Sequence, residues 1–104
     1  MMIARWQIDA RFGHKQAVIE RLQTWARDIA PQVGLHAGQL LTGSIGALEA
    51  TVEHGWQVET LAELEHAWAK LATLEAHHQW GKELEPFVVS GTARWTIWRV
   101  LSSP

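Results

Sequence analysis

Cysteine and tyrosine are both absent from this 104-residue chain. The first absence removes disulfides, thiol nucleophiles and Cys-based zinc sites, and it gives no information about redox compartment. No apolar run approaches the roughly 20 residues needed to cross a bilayer. The N-terminus also lacks the basic segment, apolar stretch and cleavage site of a secretory signal. A cytoplasmic protein without membrane contact is therefore expected. A basic stripe is missing too. Residues 1–48 carry five basic and three acidic groups, residues 49–85 two and eight, and residues 86–104 two and none, for a net charge of −2. The acidic middle third would repel a polyanion, so no nucleic acid partner is expected. Proline is limited to three residues and glycine to eight, within 47% hydrophobic and 19% charged composition. That describes one globular domain over residues 1–101, with 102–104 as a frayed end. A folded chain of this mass exposes about 5,900 Å² against about 17,000 Å² unfolded, enough for a modest core.

The hydrophobic pattern changes period along the chain. Ala4, Trp6, Ile8, Ala10 and Phe12 alternate with Ile3, Arg5, Gln7, Asp9 and Arg11, which predicts a half-buried strand. From His14 the period lengthens, and Val18, Leu22, Trp25, Ile29 and Val33 make an amphipathic helix. It should kink or end early at Pro31 and stop by Gly34. Residues 36–44 read as a second strand, joined through Gly43, Ser44 and Gly46 to a third. One face of that third strand bears Val52, His54, Trp56 and Val58, the other Glu53, Gln57 and Glu59. Thr60 with Glu63 forms a capping box for a helix striped by Leu61, Leu64, Trp68 and Leu71. After a break near Thr73 a further helical stretch carries Trp80, Leu84, Phe87 and Val88 to about Val89, shortened at Pro86. The last strand sets Trp95 and Ile97 against Thr96, Trp98 and Val100.

The order βαββαβ most economically makes an α+β, ferredoxin-like fold with a four-stranded antiparallel sheet and its helices on one face. The more apolar face, with Trp6, His54, Trp56 and Trp95, should meet the helices. The other face, with Arg5, Gln7 and Asp9, has no element left to cover it and calls for a second copy. Arg5 at such an interface would need a carboxylate, and Glu53 and Glu59 lie on the neighbouring strand.

The stretch WQVETLAELEHAWAKLA over 56–72, followed by Trp80, Leu84 and Phe87, resembles the second half of NIPSNAP-type domains of the dimeric α/β-barrel superfamily. The Phe12-Gly13-His14-Lys15 passage from strand to helix is similar to the start of that family and of the related antibiotic-biosynthesis monooxygenases. The resemblance spans residues 2–101. It implies homodimers whose sheets pair face to face, with small-molecule pockets between each sheet and its helices. Known relatives oxidise polycyclic aromatics without a cofactor, degrade haem, cyclise polyketides or only bind, and fold alone does not choose among these.

Within that frame His54 is the one titratable group on the apolar sheet face, suited to acid/base work in a pocket or to a hydrogen-bonded place in the core. Trp68 and His78 match in spacing a Trp and His of the haem-degrading relatives. Those relatives also use an Asn on the first strand, where this chain has Trp6, which argues against haem. His54 with His77 or His78 resembles the pair of the polyketide cyclases. The resulting expectation is an aromatic-lined pocket for a hydrophobic or aromatic small molecule, with Trp6, Trp56, Trp68, His77 and Trp95 binding and His54 and His78 catalytic. That chemistry would be monooxygenase-like or cyclase-like and free of any cofactor. The alternative is a non-catalytic binding or accessory protein of the same fold. A metal is not expected: no His pair has i, i+4 helical spacing, and adjacent His77 and His78 diverge by about 100°. The glycines around residues 43–46 lead into a strand and form no phosphate loop.

Overall fold

The computed structural model describes residues 1–101, so the frayed end expected at 102–104 lies outside the described residues. The elements run β1 (Met2–Asp9), α1 (Lys15–Asp28), β2 (Gln39–Thr42), β3 (Thr51–Val58), α2 (Leu61–Leu71), α3 (Glu75–Leu84) and β4 (Arg94–Arg99). All strand pairs are antiparallel and the sheet order is β2-β3-β1-β4, the ferredoxin-like arrangement. The helices cover one face of the sheet, giving a slab of 36 × 36 × 22 Å.

Local chemistry explains where the elements begin and end. The α1 pattern stops at Asp28 because Pro31 lacks an amide hydrogen, and the chain tightens into a 3-10 turn over Ala30–Val33. Gly34 closes that turn in the left-handed region at φ 79°. Thr60 caps α2 by accepting from the Glu63 amide at 3.1 Å. The reciprocal bond differs from the usual capping box, since the Glu63 carboxylate accepts from the Glu59 amide at 2.9 Å rather than from that of Thr60. The break after α2 is fixed where the Thr73 hydroxyl donates to the Lys70 carbonyl at 2.7 Å. Pro86 ends α3 early: a 3-10 turn occupies Glu85–Phe87, and Val88 bridges back to Ala10.

Several sequence expectations need correction. The second strand covers only Gln39–Thr42 of the predicted 36–44, because the His36–Gly38 turn and the Gly43 turn flank it. Phe12 is fully exposed, since β1 ends at Asp9, the last bridge is at Ala10, and the chain turns away after Arg11. Leu61 is exposed at the first turn of α2, and the buried stripe is Leu64, Ala67 and Leu71, with Trp68 half-buried beside it. Ile97 is 40% exposed although it points to the helix side, because β4 is an edge strand. No helix is long and apolar enough to cross a membrane, among the described residues.

Candidate functional site

Register places the predicted residues in one lateral row. Trp6 pairs with His54 on one side and Trp95 on the other, and His54 pairs in turn with Leu40. The next row on the same face contains Trp56, Ala4 and Ile97. Ala4 is fully buried in the core beneath the helices. Over this floor lies a cavity of about 430 Å³. The sheet contributes Trp6, His54, Trp56 and Trp95, α1 contributes Trp25, and α2 contributes Trp68. His77, His78, Trp80 and Gly81 of α3 complete it.

Packing of the indoles is tilted or edge-on. Trp68 meets Trp95 at 5.4 Å between centroids and 64°, and Trp25 meets Trp56 at 5.6 Å and 58°. Such angles suit the aromatic quadrupole, but flat rings set at these angles leave gaps between them. His54 differs, lying flat on Trp56 at 4.1 Å and 17°.

Polar bonding separates the fixed groups from the available ones. Trp25 donates its indole N–H to His77 Nδ1 at 3.0 Å, which places the His77 proton on Nε2. Burial pushes His77 below the ordinary histidine value, with a smaller contribution from neighbouring His78. A donor aimed at Nδ1 also favours its neutral form. Trp80 donates to the Arg21 carbonyl at 2.7 Å. Trp68 Nε1 and His54 Nδ1, by contrast, are buried without a hydrogen-bond partner. His54 is only 4% exposed, and loss of hydration pushes it down to about 4. Among the described residues, no Asp, Glu, Lys or Arg lines the cavity.

Every residue predicted for binding or catalysis, His54, His78, Trp6, Trp56, Trp68, His77 and Trp95, thus lies on the wall of this one cavity. The break between α2 and α3 brings Trp68 and His78 to it together. His77 is half-buried and His78 exposed, as divergence of adjacent helical positions requires. Trp25 and Trp80, not among the residues expected to bind, also line the cavity, since helical spacing fits a core position and a cavity wall equally well.

The predicted interface row lies on the opposite face and is bonded within the chain. Arg5 meets Glu53 through Nε at 3.0 Å and a terminal nitrogen at 2.5 Å. Its guanidinium carbon also lies 5.8 Å from the centre of the Trp98 ring. With its amide oxygen facing Arg94, Gln7 accepts at 3.1 and 3.2 Å, and Asp9 accepts from the Thr51 hydroxyl at 2.5 Å. Glu59, expected on the third strand, lies just beyond it, because β3 ends at Val58, and Arg5 pairs with Glu53 instead.

No family model matches the chain, and no curated protein resembles it closely enough in sequence to be matched. Solved structures do. A NIPSNAP family protein from Agrobacterium tumefaciens is 22% identical, with 95% of this chain and 92% of that one covered and a TM-score of 0.73. An uncharacterized NIPSNAP domain protein from Burkholderia xenovorans is 13% identical over 100% and 99% of the two chains, also at 0.73. SnoaB, a cofactor-independent oxygenase from Streptomyces nogalater, is 11% identical over 98% and 94%, at 0.70. The chain therefore has the ferredoxin-like fold shared by NIPSNAP proteins and antibiotic-biosynthesis monooxygenase-like proteins, as its sequence resemblance implied.

Proposed function

We propose that the chain binds an uncharged aromatic small molecule in the cavity between sheet and helices, against His54 and Trp68. The observation that carries this reading is the pairing of an indole-walled space with two buried, unpartnered polar atoms, His54 Nδ1 and Trp68 Nε1. Trp68 Nε1 is covered, so a ligand oxygen reaches it only by a shift of the indole, and accepting from it would relieve an orphaned donor whose desolvation costs about 1–3 kcal/mol when left unmade. A cavity of about 150 Å³ suffices for benzene, so about 430 Å³ admits two or three fused rings. With no Asp, Glu, Lys or Arg on the wall among the described residues, a charged ligand would lose hydration without a counter-ion, which favours an uncharged one.

Calorimetry with 1-naphthol and its anionic analogue 1-naphthoate tests this. The naphthol should bind and the naphthoate at least about tenfold more weakly, a difference of about 1.4 kcal/mol. Equal affinity for both would contradict the reading. His54→Ala should lower naphthol affinity more than His78→Ala, because His54 is buried at the floor and His78 stands exposed at the rim.

Catalysis is the second reading, favoured by the likeness to a cofactor-independent oxygenase. Neutral His54 would take a proton from an acidic ring CH2, the carbanion would add molecular oxygen, and the proton would return to the peroxide, which collapses to a ring carbonyl and water. An imidazole held near 4 is a weak base, so this step requires an unusually acidic substrate. Loss of turnover in His54→Ala with retained binding would establish it.

The open sheet face is the proposed homodimer interface. Trp98 is 58% exposed there and Leu41 45%, and the surface of 6,770 Å² exceeds the roughly 5,900 Å² of a monomer of this mass. Light scattering at micromolar concentration should give twice the chain mass. Arg5→Glu, which sets a second carboxylate beside Glu53, should shift it toward the monomer.

A further inference from the structure

The His54–Trp56 stack is a wall shared by two spaces. One is the aromatic cavity. The other is a cleft of about 290 Å³ between the Ala30–Val33 turn and the His36–Gly38 turn, and both rings line it as well. The second turn is unusual in two respects. Ala37, at φ 54°, is the one non-glycine residue in the left-handed region among the described residues. Such a conformation costs on the order of a kcal/mol and persists only where its surroundings impose it. Gly38, which follows it, has an ordinary φ, so no backbone conformation demands glycine there. Space does: a Cβ at 38 would stand 2.5 and 2.7 Å from ring carbons of Trp56 and 2.8 Å from His54 Nε2. Gly13, Gly34, Gly46 and Gly91 show the opposite case, with positive φ and nothing within 4 Å.

We infer that the His36–Gly38 turn positions His54: left-handed Ala37 carries Gly38 against the back of the stack, holding the imidazole flat on Trp56 as the rear wall of the ligand cavity. Residue 38 thereby sets the depth of that cavity from outside, and Gly38 is a positioning residue that touches no ligand. A side chain there must drive one or both rings toward the cavity and open the stack. The inference rests on the cavity being a ligand site, but its test needs no ligand, so the two fail separately.

The test compares the wild-type chain with Gly38→Ala by NMR titration. Wild-type His54 ring protons should be shifted upfield by the facing Trp56 indole and titrate near 4. In Gly38→Ala the upfield shift should be lost and the titration should rise by about one pH unit or more as the ring regains hydration. The titratable groups around His54 are His77 and His78 across the cavity and His36 in the outer turn, and among the described residues no carboxylate lines either space. Gln16→Ala, at an exposed position of α1 that lines neither space, is the control and should leave His54 unchanged. Unaltered His54 signals and titration in folded Gly38→Ala would overturn the inference. If that variant fails to fold, the decisive measurement is Gly38→Ala in a Trp56→Leu background. Folding like Trp56→Leu alone is expected, because the two closest clashing atoms are gone. An undiminished loss there would also overturn it.

Discussion

NMR titration of the six histidines should show the His54 imidazole protonating near 4, against an ordinary value of 6.5. The cause is desolvation: the side chain lies among indoles with its Nδ1 unpartnered, and the charged form has nothing to replace water. Between about 4 and 6.5 the unfolded chain binds a proton at His54 that the folded chain does not. Stability therefore rises with pH across this window. The contribution is complete above 6.5, falls away as pH drops toward 4, and is lost once both forms are protonated. A span from 6.5 to about 4 corresponds to about 3 kcal/mol. His77 is lowered too and acts in the same direction. Urea unfolding at pH 7 and pH 4.5 measures the effect, and His54→Gln should flatten it. A His54 that titrates with exposed histidines, and a stability that does not depend on residue 54, would remove it from the site.

The second large effect belongs to Trp25. This residue is 7% exposed, packs on Trp56 and Trp80, and donates its N–H to His77. Trp25→Ala should cost about 3–5 kcal/mol, much of the roughly 5–15 kcal/mol that holds a small domain folded. Trp25→Phe keeps most of the packing and removes only the donor. It should raise the His77 titration, because Nδ1 is then free to take a proton. Denaturation midpoints read the first effect and histidine titration the second. A Trp25→Ala loss below about 1 kcal/mol would mean that the indole is not part of the core.

The two variants bear on how much of the site the sequence could disclose. Period-two alternation puts Trp6, His54, Trp56 and Trp95 on one face, and antiparallel pairing then brings Trp6 beside His54 and Trp95. The helix-facing side was legible for that reason. Trp25 and Trp80 satisfy the same helical spacing whether they fill a core or wall a cavity, so their second role depends on ring angles that no spacing encodes. Whether Trp68 and His78 reach one cavity turns on the direction of the chain after Thr73, set by the Thr73 hydroxyl and by backbone bonds from Thr73 to Lys70 and Leu74 to Leu71. Phe12 and Leu61 fit their apolar stripes yet stand in water, because each lies at the end of its element, beyond the neighbours that would cover it. Gly38 was invisible in the sequence: its requirement is a contact with β3 residues more than a dozen positions away.

Entry of uncharged aromatic molecules into the cavity beside His54 can be followed through the seven tryptophans. Trp98 lies on the opposite sheet face and serves as an internal reference, while the other six line the cavity. Addition of 1-naphthol to uniformly labelled protein, followed through the indole N–H resonances, should move Trp68 most, because its N–H is the unpartnered donor. Trp6, Trp56 and Trp95 should move with it, and Trp98 should stay still. A response confined to Trp98, or none at all, would contradict the account.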